Sequence, residues 1–488
     1  MGVYSVPEEI RKLKPVGTIV KCIRGKYYVY THSQHKDPTS GKWKTDTGKI
    51  LGRIVPDVGY IPNDKTCKSK GITCFDYGQY LLVCSLCKDE LSLLKEFFTN
   101  EEAMQLFALA SIIAIKGYIG LSSAQNYYER SLVAHDYPSL LFSYKRISKL
   151  LELIGRQDGA REYQRKCLED TKELAIDGHV ITSSSENNEL TSSGYKTSIT
   201  SSDQMNLMCA LDVETSLPVA CKFYPGYMLD KSDFKDFIEH CGSIANKIIL
   251  IDKGFYKDDN ISLIVNEKAF YIIPLCENNK NYKNVMKDIE TIPNNKIDDY
   301  FFYHRNKKTD YVKYKVYKQD DKTIIYYKNM SEAEKLSKEY LQEIEKGSKG
   351  YTLDRYNQQV DGFGTIVLAT NLDLTAEEIY KHYKNRWSIE TYYDRLKNVI
   401  RFKELNLDDY ATIQGVAFVM LIAGRIDAKI THAANKVKLS KKELLQLTAY
   451  LKLTDINNKI TIHNQKKQHY EVFEKLGISM DTNKKCLG

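Results

Sequence analysis

Leu174-Ala-Ile-Asp-Gly-His-Val-Ile181 is the stretch on which the fold turns. Apolar residues bracket a central carboxylate, Asp177, and the run reads as a strand. An unpaired carboxylate in the middle of a strand is costly to bury, so Asp177 points to chemistry rather than packing. Outward from it, Leu207-Met-Cys-Ala-Leu-Asp212 and Pro218-Val-Ala-Cys-Lys-Phe223 read as two more strands, and Asp230 to Cys241 as a helix. Lys247-Ile-Ile-Leu-Ile-Asp252 is a buried-type strand ending in a second Asp, and Phe270-Tyr-Ile-Ile-Pro274 is a further strand. Strands joined by short turns, then a helix, then more strands predict a mixed α/β sheet.

Beyond this core the texture changes. Residues 275–362 are rich in Asn, Lys, Asp and Tyr, with Tyr300-Phe-Phe-Tyr-His and Thr323-Ile-Ile-Tyr-Tyr-Lys as strand candidates, and read as a β-rich insertion. Gly364-Thr-Ile-Val-Leu-Ala-Thr370 returns to buried-strand chemistry, and a long helix begins at Thr375, where Thr375-Ala-Glu-Glu378 has capping-box spacing. Upstream, Gly17-Thr-Ile-Val-Lys-Cys-Ile and Lys26-Tyr-Tyr-Val-Tyr flank Arg24-Gly25 as a hairpin, with later turns at Thr39-Ser-Gly-Lys42 and Asp46-Thr-Gly-Lys49. From Asn100, a candidate cap, to about Lys172 the pattern is helical, fitting either a plain bundle or a helix-turn-helix-like DNA reader. The expected organisation is a β-rich region over 1–98, a helical, candidate DNA-binding region over 99–172, a core in two parts over 173–274 and 363–435, the insertion over 275–362, and a basic C-terminal region over 436–488.

A chain of 488 residues implies several domains. The net charge of +8 is weak evidence for nucleic acid by itself, but it concentrates around Arg386 to Arg401 and at Lys436, Lys438, Lys441 and Lys442. No apolar signal core opens the sequence, Val6 breaks the myristoylation pattern, and the longest apolar run, Val416 to Ala423, is too short to span a bilayer. The expectation is a soluble, intracellular protein with no membrane partner. The 11 cysteines are an odd, scattered set, which fits reduced thiols. Of Cys67, Cys74, Cys84 and Cys87, only Cys84-x-x-Cys87 has zinc-ligand spacing, and it follows the strand-like run Tyr80-Leu-Leu-Val83; buried free thiols are the expectation.

In the helix after Thr375, Tyr383, Arg386, Glu390 and Lys397 stand at offsets of 0, 3, 7 and 14. At about 100° per residue they share one face, with Ile389, Leu396 and Ile400 on an adjoining apolar flank. One carboxylate is thus presented among two cations and a phenol. A solvated face with ion pairs is the plain alternative, but Glu390 and Lys397 are seven apart and make no i,i+4 bridge.

The pattern Tyr-x2-Arg-x3-Glu-x6-Lys over residues 383–397 resembles the signature of bacterial cut-and-paste transposases of the Asp-Asp-Glu class, of the insertion-sequence family four type. The stretch from Tyr224-Pro-Gly226 to Asp230 resembles that family's P-G-x-x-x-D segment, and Asp252-Lys-Gly-Phe255 its D-R-G-F segment, with Lys253 in place of Arg. The resemblance spans roughly residues 173–430 and implies a ribonuclease-H-like core with the catalytic acids at Asp177, Asp252 and Glu390. It implies that these hold two Mg²⁺ or Mn²⁺ ions, Asp177 bridging both, while Arg386, Lys397 and Tyr383 contact phosphates. It implies as partners double-stranded DNA with terminal inverted repeats and target DNA, a homodimer on paired ends, and a bacterial, nucleoid-associated location.

Such chemistry needs these residue types. Two divalent ions about 3.5–4 Å apart activate a water or 3′-hydroxyl and stabilise the leaving oxygen, and hard Mg²⁺ prefers carboxylates over imidazole or thiolate. Among rivals, Asp212 ends a strand but precedes a turn-like Val-Glu-Thr, and Asp230 reads as a helix cap. His179 shares Asp177's side of the strand but reads as structural, and Trp387 reads as core rather than as a base-stacking platform. Two other functions compete: a ribonuclease-H-like nuclease without strand transfer, and a catalytically inactive, domesticated DNA-binding protein. The intact acidic triad argues against the second.

Overall fold

The computed structural model describes residues 6–36, 41–56, 58–63, 73–185, 187–193, 202–226, 230–292, 297, 299–305, 308–319, 321–456 and 459–480. The chain divides into two compact units. The first, Met1–Thr73 with Asp455–Lys459, carries a four-stranded antiparallel sheet, β1 (Thr18–Ile23), β2 (Lys26–Lys36), β3 (Trp43–Val55) and β4 (Gly59–Pro62), over a small core of Ile10, Val29 and Ile54. Arg24 and Gly25 both take positive φ, 51° and 77°, as a two-residue hairpin turn with the twist of its flanking strands requires. Asp46-Thr-Gly-Lys49, expected as a turn, lies inside β3. The register slips opposite it between Val29 and His32, so Gly48 marks a bulge rather than a chain reversal. Cys67, and Thr39 and Ser40 of the other expected turn, lie outside the described residues.

The second unit, Cys74–Thr454 with Ile460–Gly488, begins with β5 (Thr73–Asp76) and then turns helical at Gly78, some twenty residues earlier than the periodicity indicates. Tyr80–Val83, read as strand-like, belongs to the helix Gly78–Leu86, whose residues are buried on every side. A short apolar run without alternation does not separate strand from buried helix. The next helices are Lys88–Phe97 and Asn100–Lys116, the latter capped by Thr99 in a capping box with Glu102 rather than by Asn100. Tyr144–Arg156 and Asp158–Leu168 are the last longer helices before the large sheet.

Then comes the large sheet. β6 (Glu173–Ser183), β7 (Asp203–Asp212) and β8 (Pro218–Pro225) form an antiparallel meander. After the helix Asp230–Cys241, β9 (Ile248–Ile251) pairs parallel with β6, and after the helix Asp258–Asn266, β10 (Phe270–Pro274) pairs parallel with β9. The insertion contributes β11 (Tyr300–Arg305), β12 (Lys308–Lys318) and β13 (Thr323–Asn329), and β14 (Thr365–Thr370) follows it. All nine strands make one sheet, ordered β11-β12-β13-β14-β10-β9-β6-β7-β8.

The insertion is not the β-rich segment its composition predicts. It also holds the helices Lys280–Glu290, Met330–Glu345 and Leu353–Gln359. Met330–Glu345 has no fully buried residue; the Asn329 side chain caps it by accepting from Glu332 N, and Tyr340 packs against Tyr351, Tyr356 and Phe363.

Each face of the sheet has its own core. Leu174, Ile176, Ile249, Ile251 and Ile273 pack with Phe234, Phe237 and Ile264 on one side. Ala175, Cys209, Leu250 and Leu368 pack on the other with Ile389, Leu396 and the helix Tyr410–Lys436. That helix is long and apolar enough to cross a membrane, but it is mostly buried within the protein. It approaches Tyr144–Arg156 with almost no side chain between: a Cβ on Gly155 would lie 1.8 Å from the Ala411 carbonyl oxygen, and one on Gly415 2.1 Å from that of Leu151. The chain continues through Lys441–Ala449, β15 (Lys452–Ile456), β16 (Lys459–His463) and Lys467–Lys475. Lys441, counted among the basic C-terminal cluster, is instead ion-paired with buried Asp427.

Candidate active site

Strand alternation brings the two aspartates together. Ile176 pairs with Ile251 in parallel register, so Asp177 and Asp252 are the next residues of two adjacent segments, Asp252 just past the end of β9. Leu174 and Ile176 face one layer and Ala175 the other, which puts Asp177 on the side of Ala175; by the same count Asp252 lies on the side of Leu250. This is the face covered by the helices after β14. Gly178 N donates to the Asp177 carboxylate at 2.8 Å.

The expected single helix is two, Ala376–Asn385 and Trp387–Asn398, with Arg386 at the junction. The predicted capping box is present: Thr375 accepts from Glu378 N, and Glu378 accepts from Thr375 N. At Arg386 the backbone keeps helical angles but tightens to i,i+3 bonds, Arg386 N to Tyr383 O and Ile389 N to Arg386 O, both 3.1 Å. Ile389, Tyr392, Tyr393 and Leu396 are buried against the sheet, leaving Glu390 partly exposed at the strand ends.

Arg386 is the centre of the arrangement. Its guanidinium pairs with Glu390, four residues on, and reaches the Asp177 carboxylate at 3.9 Å. Its carbon lies 5.9 Å from the centroid of the Tyr383 ring. Burial disfavours the guanidinium's charge, but Tyr383 and the charges of Asp252, Glu390 and Asp177 outweigh it and raise its pKa above the ordinary arginine value. Burial also pushes the Tyr383 phenol up; the Asp252 charge adds to this and Arg386 opposes it. Asp177 and Glu390 therefore share one cation, whose charge Asp252 also favours. Among the described residues no three His, Cys, Asp or Glu side chains are drawn together into a ready metal cluster. Lys397 stands exposed two turns beyond Glu390.

Two grooves meet at Tyr383. One, of roughly 520 Å³, is lined by Arg386, Glu390, Tyr380 and Trp387 among others. The other, of roughly 680 Å³, is lined by Asp252, Lys253, Cys276 and Tyr282 among others. Trp387 is 55 % exposed on the first groove, not in the core as its type indicates. His179 stacks on Tyr393 with ring centroids 4.9 Å apart. Asp212 binds Glu214 N and the Thr215 hydroxyl as a turn residue, and Asp230 begins its helix. Cys84 and Cys87 are buried free thiols.

Two features escaped the sequence reading. The Arg386–Glu390 pair was visible as an i,i+4 spacing. Tyr393 gave no signal: its buried hydroxyl donates to the Asp177 backbone carbonyl at 2.6 Å, tying the first strand to the helix that carries Glu390.

Residues 169–423, just over half of the chain, match the family model of the transposase DDE domain. The chain belongs to the transposase DDE domain family. This transposase domain spans β6–β10, the insertion, β14, the two signature helices and much of the helix Tyr410–Lys436. It sets the chain among DNA-transposition enzymes. No curated protein matches the chain. Among solved structures, the transposase chain resembles the cryo-EM structure of a piggyBac transposase synaptic complex with hairpin DNA, at a TM-score of 0.40 and 12% identity over 76% of this chain and 79% of that one.

Proposed function

We propose that the protein is a cut-and-paste DNA transposase of the insertion-sequence family four type, with Asp177, Asp252 and Glu390 as its catalytic acids and Tyr383, Arg386 and Lys397 as phosphate contacts. The observation that carries this reading is the sharing of the Arg386 guanidinium by Asp177 and Glu390, one from β6 and one from the covering helix, with Asp252 next along the strand that pairs with β6. The strand order β8-β7-β6-β9-β10, with β7 antiparallel and β6, β9 and β10 parallel, supports a ribonuclease-H-like core, and residues 275–362 are its insertion. In the same reading 1–98 and 99–172 are accessory regions, the latter a candidate DNA reader, and 436–488 is a basic C-terminal region. The partners are double-stranded DNA ending in inverted repeats, target DNA, and a second copy of the chain on the paired end, all in a bacterial nucleoid.

The donor types fit divalent metal: Asp177 and Glu390 already share a cation, and Asp252, next along the neighbouring strand, offers a third hard oxygen donor. Asp177, Asp252 and Glu390 would hold two Mg²⁺ or Mn²⁺ ions, which lower the pKa of a bound water and stabilise a leaving oxygen. The protein's own residues position the substrate. Lys397 and Arg386 supply point and forked charges for backbone phosphates, and Tyr383 supplies a hydroxyl donor between the two grooves.

The test is a Mg²⁺-dependent assay on a DNA fragment carrying the element's end, together with joining of pre-cut ends to a target plasmid. Cleavage and joining are both expected; cleavage without joining assigns a nuclease, and neither overturns the proposal. In gel-shift salt titrations, Lys397→Ala is expected to flatten the slope of log K against log salt by about 0.9, the value of one phosphate contact. An unchanged slope assigns Lys397 to a solvated face. Tyr393→Phe is expected to lower turnover several-fold with DNA affinity unchanged, because the strand–helix tie is lost while the ring still packs on His179. Its cost in stability is about 1 kcal/mol, read by urea unfolding. Unchanged turnover would make Tyr393 a packing residue only.

A further inference from the structure

Arg386 lies where the carboxylates' counter-charge is needed. It is mostly buried, with 13% of its side chain exposed, and its partners Asp177 and Glu390 come from different elements. The Asp177 and Glu390 carboxylates, brought to one guanidinium, repel each other, and that guanidinium relieves the repulsion. The same guanidinium repels any divalent cation entering the cluster. We propose that Arg386 is the competing counter-cation of the metal site: it holds Glu390 toward Asp177 and must give way for a divalent ion to bind, turning its fork toward the groove that it lines with Trp387 and Glu390. This rests on the reading of the three acids as metal ligands.

The backbone is suited to such a movement. Arg386 sits at the one break between the two signature helices, where the hydrogen bonds shorten to i,i+3, a local form often found at functional hinges. The groove beside it is open, so the displaced fork meets water or a DNA phosphate rather than an apolar wall. Metal loading and phosphate binding are then coupled through one side chain, and each favours the other.

The experiment is Mn²⁺ titration of the full-length protein without DNA, read by the electron-spin signal of free Mn²⁺. Arg386→Ala and Arg386→Gln are expected to bind Mn²⁺ at least about tenfold more tightly than wild type, since a like charge about 4 Å away costs about 1 kcal/mol per unit charge even when fully screened by water and the ion is divalent. Arg386→Lys, which keeps the charge, is expected to stay near wild type, and Glu390→Gln to bind more weakly. Thermal melts establish that each variant is folded, and agreement between the Ala and Gln variants guards against a packing artefact. If wild type binds Mn²⁺ and Glu390→Gln weakens it, but Arg386→Ala and Arg386→Gln bind no more tightly, the metal site stands and the competition is overturned. If neither wild type nor the Arg386 variants bind Mn²⁺, the metal site and the competition fall together.

Discussion

Asp177→Asn, Asp252→Asn and Glu390→Gln are each expected to lower end cleavage by more than about a hundredfold, beyond the 10–100-fold that changes around a metal's ligands cost. Each substitution keeps the side chain's shape and removes one anionic donor. Asp177 and Asp252 emerge from adjacent strands and Glu390 approaches from the covering helix, so no neighbouring carboxylate on these elements replaces a lost one. DNA affinity should persist, because it comes from cations that these changes leave in place. The measurement is cleavage of a labelled end fragment beside a gel shift on the same DNA. Normal cleavage by Glu390→Gln would make Glu390 merely the i,i+4 partner of Arg386.

The second large effect is on stability. Arg425, on the helix Tyr410–Lys436, donates to both oxygens of Glu90, on the helix Lys88–Phe97, at 2.8–3.0 Å, and to the Pro218 carbonyl of β8 at 3.1 Å. Tyr163 and Lys429 complete the cluster around Glu90, which is 1% exposed. Burial opposes the charge on Glu90, but Arg425 and its companions prevail and hold the carboxyl at about 2. Arg425→Ala is expected to cost about 3–5 kcal/mol, since it strands a buried carboxylate. Replacing both residues, as in Glu90→Leu with Arg425→Met, should recover much of that loss. Because the folded pKa of Glu90 is depressed, its contribution is complete above the unfolded carboxylate pKa of about 4.3 and drains away as pH falls toward about 2. Denaturant unfolding of wild type and both variants between neutral and acidic pH measures this; equal stabilities at neutral pH would refute it.

How far the sequence carried depended on where the physics was local. The apolar residues bracketing Asp177, the apolar run ending in Asp252 and the capping box at Thr375 are short-range signals; the first two identified strands and the third a helix start. The signals failed where a run was buried all round, as at Tyr80–Val83, and where a polar, Tyr-rich composition also spans helices, as at Met330–Glu345. Asp46-Thr-Gly-Lys49 misled because turn-forming residues also serve a bulge, and only the opposing strand decides between the two. Of the candidate site, the sequence named three acids and a helix face but not the contacts among them. The Tyr393 hydroxyl meets a carbonyl more than two hundred residues away, and no periodicity encodes that.

The position of β14 has a consequence for how the chain is made. β14 lies between β10 and β13, hydrogen-bonded to both, yet it is the last of the three to leave the ribosome. Until Thr365–Thr370 emerges, the nascent sheet ends at β10 with open backbone groups, and the β11–β12–β13 meander has no strand through which to join it. Unpaired strand edges of this kind are where nascent chains aggregate. The closing step zips a late hydrophobic strand, Thr-Ile-Val-Leu-Ala-Thr, into a slot with two finished walls, a long-range pairing of the slow kind. Productive synthesis of this protein therefore depends on how long the β10 edge is left waiting, and slowed translation between residues 275 and 365 should raise the insoluble fraction.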